Sequence, residues 1–433
     1  MPNGPKVINP WPLALALLTV AVALANYVWL RMNQLPPVDD EAYHLWSALK
    51  YFRHLERPSF AGLGPLLNLG DLYPPLFPLL AALGARVLGA ADTLTLCMAN
   101  VPFVAVTFFS LYGIGLRMGD RRVGVLASCF LVLYPMFFHM GRMFMLDIAL
   151  TGMVTLTLLI LLCSEGFSRR GWSLLAGIAL GLGLLTKQTF PVFVAGPAVY
   201  ILFRSWKGLD ASQRKARILH FGLFVVLGMA IAFPWYFAQA EKKFLGMKSA
   251  FLTRDRTYFD LAGSVFGTLV FYGETLVRNQ MGRVFFGGFI VAVALSFKKC
   301  LRAPFVPIWF AVPFLILILF PNKWYYYTLP CLPAAAFLTA GGLLSLKRTI
   351  VRRAAVSVLI LLGVEQFVVL SFMSPQLSTQ LLSFSRYAPQ REDYHAEALF
   401  RRLEDQRETE SPVIAVPDVD PNTYSGSEGV TLG

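Results

Sequence analysis

Charge is what this sequence has least of. Only 15% of its 433 residues are Asp, Glu, Lys or Arg, where a soluble domain carries about 25%. That shortage excludes a chain of ordinary soluble domains, and 56% hydrophobic residues exclude intrinsic disorder. Cysteine is scarce too: Cys97, Cys129, Cys163, Cys300 and Cys331 form no CxxC pair, which argues against a disulfide framework and a structural zinc site. No Asn-X-Ser/Thr sequon occurs, which favours a bacterial protein over a eukaryotic lumenal one. No small-residue cleavage site follows the first apolar run, so that run reads as an uncleaved span. The net charge of +13 sits between apolar runs, which is the footprint of membrane topology rather than of nucleic-acid binding.

What is present is a series of long apolar runs. A membrane span needs about 20 mainly apolar residues. Eleven candidates fit: 11–30, 94–116, 121–140, 147–163, 172–186, 189–204, 218–237, 283–297, 304–320, 324–345 and 353–373. The expected fold class is therefore an all-α polytopic membrane protein. Two further helices, 41–57 and 75–90, are expected to lie in the interface; the second is short, starts with prolines and contains Arg86.

Charge supports that reading of 75–90. With Lys6 placed inside, every inside loop is short and basic, and together these loops hold only three acids, Asp120, Glu165 and Asp210. Making 75–90 a span would move every later basic cluster outside. The organisation expected is a membrane domain over 1–373, with a first outer loop at 31–93 and a long outer loop at 238–282. A polar extracytoplasmic tail follows at 374–433. It reads as a helix near 391–408 and a strand at 412–417, the start of a truncated α/β domain. The loop 238–282, with Arg254, Asp255, Arg256 and Asp260, is expected to roof an outer cavity together with the two interfacial helices.

The outer face collects the unusual residues. Asp39, Asp40 and Glu41 follow the first span, where they suit a helix N-terminus or a general base. Arg142 and Asp147 bracket the start of a span, and ionisable residues there read as functional. Lys187 and Lys323 interrupt apolar stretches, and Trp324 with Tyr325, Tyr326 and Tyr327 suits an interface. Tyr43, His44, Tyr73, Tyr325 and Tyr326 are candidates for a donor or acceptor pocket. A divalent metal is not favoured; Asp40 with His44 is the pair that would hold one. A carboxylate beside cations suits attack on a carbon bearing a phosphate leaving group, whose charge grows in the transition state.

The segments VDDEAYHLW, YPPLFPLL, RMFMLDIAL, GLGLLTKQT and KWYYYTLPCLPAAAF come in an order that resembles the GT-C glycosyltransferases. Over roughly 10–373 the chain is similar to the bacterial branch akin to protein O-mannosyltransferases and lipid A aminoarabinose transferases. The resemblance implies an inverting transfer from a polyprenyl-phosphate sugar donor to a glycan, lipid or protein acceptor, in the bacterial inner membrane. It implies a catalytic Asp in an Asp-Glu pair, here Asp40–Glu41, with Asp39 as an extra acid. It further implies that Lys187 and Lys323 lie near the lipid phosphate, and Arg142 and Asp147 match its Arg-to-Asp spacing before a span. Arg142 is expected to join the two lysines at the phosphate, with Glu41 and Asp147 orienting Arg142 or the helix start.

The competing class is a transporter or flippase for a lipid-linked or anionic solute. Transporters place ionisable groups near mid-membrane and show internal repeats, and neither feature is found here. The topology predicts that a reporter fused after residue 373 reports from the outer side; a cytoplasmic signal there overturns the one-sided site.

Overall fold

Prolines and short polar caps decide where the apolar runs become helices. The computed structural model describes residues 9–37, 39–56, 64–69, 73–206, 208–240, 264–320, 323–373 and 389, and among these the structure is helical without β-strands. Helix α1 (Pro10–Met32) starts where the Asn9 side chain accepts from the Trp11 amide, with Pro10 at a position whose missing N–H costs nothing. Helix α2 (Asp39–Glu56) opens on its three acids, and α3 (Gly64–Asn68) and α4 (Leu76–Leu88) follow. Helix α4 packs along α2, as expected of two interfacial helices. It ends at Gly89, whose φ of 73° lets the chain leave in the left-handed region.

Among the described residues, six helices are long and apolar enough to cross a membrane. They are α1; α5 (Thr93–Cys97) running into α6 (Asn100–Arg117); α9 (Leu146–Cys163); α12 (Ala211–Ala238); α14 (Arg283–Arg302); and α17 (Thr349–Phe372). The other expected spans are shorter. Helices α10 (Arg170–Leu184), α11 (Phe190–Arg204), α15 (Phe305–Leu317) and α16 (Leu332–Leu344, entered through a 3₁₀ turn at Leu329–Cys331) have between 13 and 15 residues. At about 1.5 Å per residue these fall short of a hydrocarbon core about 30 Å thick. The stretch 121–140 is broken into α7 (Arg121–Val132) and α8 (Pro135–Met140). Pro135 forces the residue before it out of the helical region, and Tyr134 has ψ 127°.

Two boundaries differ from expectation for local reasons. Helix α12 starts at Ala211 rather than 218, because Asp210 and Gln213 form a reciprocal capping box that carries the helix through a polar stretch. Within the expected outer loop 238–282, Val265–Thr275 is helical (α13). Ser264 caps it by accepting from the Gly267 amide, and it runs into a π-helical turn at Leu276–Gln280. Lys6, the lid residues Arg254, Asp255, Arg256 and Asp260, and the tail's expected helix and strand lie outside the described residues.

Helix α9 is apolar all round and buried on nearly every side, packed by α6, α10 and α11. By contrast α1, α12, α14 and α17 leave apolar faces outward, as helices bordering lipid do. Helices α14 and α16 approach so closely that a Cβ at Gly342 would overlap the Ala292 carbonyl, whereas one at Gly341 would meet nothing nearer than Val123 Cγ1 at 3.8 Å. Gly342→Ala should therefore destabilise the protein by about 1–3 kcal/mol, while Gly341→Ala should be neutral or stabilising by up to about 1 kcal/mol. Thermal midpoints of the two purified variants in one detergent check the contrast.

Candidate functional site

The candidate residues come from four separate places in the chain. Asp40 lies in the first turn of α2, Asp147 is the second residue of α9, Lys187 sits in the turn between α10 and α11, and Tyr326 belongs to the non-helical stretch 323–328. Helix ends are where backbone and side-chain polar groups remain available for chemistry. The Lys187 ammonium holds both oxygens of Asp147, at 2.9 and 3.0 Å. This pair is almost fully enclosed, with Asp147 0% and Lys187 8% exposed. The Lys187 nitrogen also faces the rings of Tyr326 and Tyr327, 5.4 and 5.6 Å from their centroids.

Asp40 is half-buried, and each of its oxygens accepts from a tyrosine hydroxyl: Oδ1 from Tyr73 at 3.3 Å and Oδ2 from Tyr326 at 3.1 Å. Tyr326 therefore touches both carboxylate sites, with its hydroxyl on Asp40 and its ring under Lys187. Burial first, and the Asp40 carboxylate second, push the Tyr73 phenol well above its ordinary range.

Glu41 does not face this cluster's cation. Its Oε1 accepts from the Phe144 amide at 2.8 Å, tying α2 to the turn ahead of α9. Burial raises its pKa, and the Phe144 amide partly offsets that. Asp39 has φ 50°, a left-handed conformation that Asp tolerates better than most residues. His44 is 2% exposed, with its ring edge-on to Tyr73 at 4.5 Å and its Nδ1 buried without a hydrogen-bond partner. Burial first, and the Lys187 charge second, lower its pKa to about 3, so the imidazole is neutral at physiological pH. Tyr43 packs edge-on against both His44 and Tyr73. Among the described residues no three His, Cys, Asp or Glu side chains converge as a metal would require, so the Asp40–His44 pair gains no third ligand there.

Arg142 is placed differently from the expectation that Asp147 orients it. Asp147 is taken by Lys187, and the Arg142 guanidinium donates to Asn26 Oδ1 at 3.3 Å and to Ser371 Oγ at 2.7 Å. Four rings surround it, those of Trp29, Phe138, Phe367 and Phe372, and it is 1% exposed. Lys323 is also buried and donates to the Phe320 carbonyl at 3.0 Å. Tyr325 contributes its backbone carbonyl to Gln280, while its ring meets Tyr326 edge-on. Sequence reasoning missed Asn26 and Gln280. Asn26 lies inside an apolar run, where an unpaired amide is costly, and that cost is the signal that singles it out, whereas Gln280 lies between Asn279 and Met281 in a polar stretch that gives no such signal.

Residues 73–236 match the family model described as dolichyl-phosphate-mannose-protein mannosyltransferase. No curated protein matches the chain in sequence. Among solved structures, ArnT from Cupriavidus metallidurans in the apo state is similar at 21% identity with a TM-score of 0.56, covering 77% of this chain. The same protein bound to undecaprenyl phosphate gives 22% and 0.55, again over 77% of this chain. The apo oligosaccharyltransferase from Archaeoglobus fulgidus gives 11% and 0.55, covering 94% of this chain. The chain spans about 60% of the length of each of these structures. The chain shares its fold with these structures.

A buried ion pair loses most when one partner is removed alone. Lys187→Met, which strands the Asp147 carboxylate, should cost about 3–5 kcal/mol, and adding Asp147→Leu should recover much of that loss. Thermal midpoints of the single and double variants measure the recovery. A double variant no more stable than Lys187→Met would show that the pair's burial is not what matters.

Proposed function

We propose that the protein is an integral-membrane, inverting glycosyltransferase that moves a sugar from a polyprenyl-phosphate donor to an acceptor at the extracytoplasmic face. The observation that carries the reading is Tyr326, which joins a half-buried carboxylate to a buried cation in one site. Asp40 takes the proton from the acceptor nucleophile as that atom bonds to the anomeric carbon. The bond from that carbon to the phosphate oxygen breaks, and its electron pair leaves with the phosphate. Lys187 and Lys323 meet the growing negative charge. The fold shared with an ArnT structure bound to undecaprenyl phosphate supports a lipid-linked donor. A glycan, a lipid or a protein fits the acceptor side equally. The membrane domain is assigned to residues 1–373.

Arg142 receives a different role. Enclosed by four rings and bonded to Asn26 and Ser371, it ties α1, α8 and α17 together beneath the site. Its unpartnered Nη1 faces this aromatic cage, where the ring faces offset part of the missing hydrogen bond. Glu41 fixes the angle of α2 through the Phe144 amide, and Asp147 holds Lys187. The placement of Asp40, Asp147 and Lys187 at helix ends supports an enzyme over a transporter with a mid-membrane site.

Asp40→Asn keeps the shape and removes the base, so turnover of a lipid-linked sugar should fall roughly 10²-fold or more while donor binding survives. Purified enzyme with a radiolabelled donor, supported by mass spectrometry of envelope glycans with and without the gene, makes the measurement. Full activity in both Asp40→Asn and Asp39→Asn would overturn the general-base reading; loss only in Asp39→Asn would move the base to Asp39.

A further inference from the structure

The tyrosine that orients Asp40 stands on a turn with no helix of its own, so something else must fix its position. Residues 325–328 form a turn between Lys323 and the 3₁₀ start at Leu329. Gln280 brackets that turn. Its Nε2 donates to the Tyr325 carbonyl at 2.7 Å and to Thr328 Oγ1, so its two contacts flank Tyr326 on either side. A carbonyl can only accept, which fixes which end of the amide faces Tyr325. Gln280 is 0% exposed, and its Oε1 is buried without a partner. An unsatisfied buried acceptor costs about 1–3 kcal/mol, so the position is retained against a penalty.

The backbone aims Gln280 there by an unusual route. It is the last residue of the π-helical turn Leu276–Gln280, and such a turn shifts the direction of every later side chain relative to an α-helix. The segment is held from its other side by Gln366 of α17, whose Nε2 donates to the Leu133 carbonyl at 3.2 Å and the Met281 carbonyl at 3.4 Å. Gly282, with φ 79°, leaves the space that Gln366 occupies, since a Cβ there would overlap the Gln366 amide. Two buried glutamines thus pin residues 276–282 between the break in the α7–α8 stretch and the tyrosine turn.

We propose that Gln280 is a positioning residue for the reaction: by clamping the 325–328 turn it sets the hydrogen bond from Tyr326 to Asp40. The proposal rests on the assignment of Asp40 as the base. A hydroxyl donated to a carboxylate oxygen fixes where that carboxylate points, so releasing Tyr326 should loosen the aim of Asp40. The other groups facing Asp40 are Tyr73, Tyr327 and the Asp147–Lys187 pair, with Asp39, Glu41 and His44 on its own helix. Of these, Tyr327 shares the turn that Gln280 clamps and lies beside Lys187.

The test uses full-length, detergent-purified Gln280→Leu, Thr328→Val and Tyr326→Phe, singly and with Gln280→Leu combined with Tyr326→Phe. One readout is the split between kcat and KM with a lipid-linked sugar donor. The other is the rate of carbodiimide labelling of Asp40 at one fixed pH, which needs no turnover. Gln280→Leu should lower kcat roughly 10- to 100-fold with little change in donor KM, the scale of a small misplacement at a reacting group. It should also speed the labelling of Asp40 severalfold, because a carboxylate released from Tyr326 is more open to the reagent. Combining it with Tyr326→Phe should add little to Tyr326→Phe alone. Should Gln280→Leu fail to fold, Thr328→Val, which removes one of the two anchors, should shift both readouts in the same direction. Unmoved kcat and labelling rate, or effects that multiply with Tyr326→Phe, overturn the proposal. A wild-type protein that transfers no sugar but whose Asp40 labelling rate still changes in Gln280→Leu would sink the enzymatic reading and leave the coupling standing.

Discussion

Hydrocarbon cannot hydrogen-bond, and this one constraint sorts every polar group in the molecule. A buried polar group away from water must find a partner inside the protein or lie where a helix stops. The described structure follows that rule for most groups, while His44, Arg142 and Gln280 each keep one buried atom without a hydrogen-bond partner. Threonines and serines within spans turn their hydroxyls back onto carbonyls four residues earlier, as Thr151, Thr155 and Thr157 do in α9. The ionisable groups gather at helix ends instead. Asp40 opens α2, Asp147 opens α9, and Lys187 fills the turn after α10. The short helices are part of the same solution, because a helix that ends early brings a polar turn down among its neighbours.

Within that frame the site is a chain of single contacts rather than a dense network. Asp147 holds Lys187, Lys187 lies on the Tyr326 ring, Tyr326 donates to Asp40, and Glu41 one residue on holds the turn before Asp147. The path closes on itself through the 141–145 turn, so α2 is fixed relative to α9 through both Asp40 and Glu41. The Arg142 cage lies at the same turn and ties it to the first and last long helices. An electrostatic site needs this kind of fixed geometry, because preoriented charges act without reorganising during the reaction.

Much of this was legible in the chain. The apolar runs predicted the long helices to within a few residues except at the start of α12, and the proline-led run at 75–90 forms the short helix α4. The acids at 39–41 and the cation at Lys187 stood out because charge is rare here. What composition could not supply was partnership. Asp147 joins a lysine 40 residues later rather than the arginine five residues earlier, and Asp40 meets a tyrosine 286 residues away. Those pairings depend on how helices pack, and nothing local encodes them. The break at Tyr134 was readable from Pro135, whereas the π-helical turn at Leu276–Gln280 leaves no pattern in the sequence. Asn26 and Gln366 are amides inside apolar runs and Gln280 lies among polar neighbours, and only the structure shows what each amide holds.

The order of synthesis gives the buried ion pair a history. Asp147 leaves the ribosome 40 residues before Lys187, which at about 5–20 residues per second is a delay of roughly 2–8 s. For that interval α9 must enter the bilayer with an uncompensated acid. Its position as the second residue of the helix makes this tolerable, since a group at a helix end can stay hydrated at the interface while the apolar remainder inserts. Only when the α10–α11 hairpin arrives can the carboxylate leave water. The salt bridge can thus form only after the α10–α11 turn has reached α9, the most buried of the six long helices.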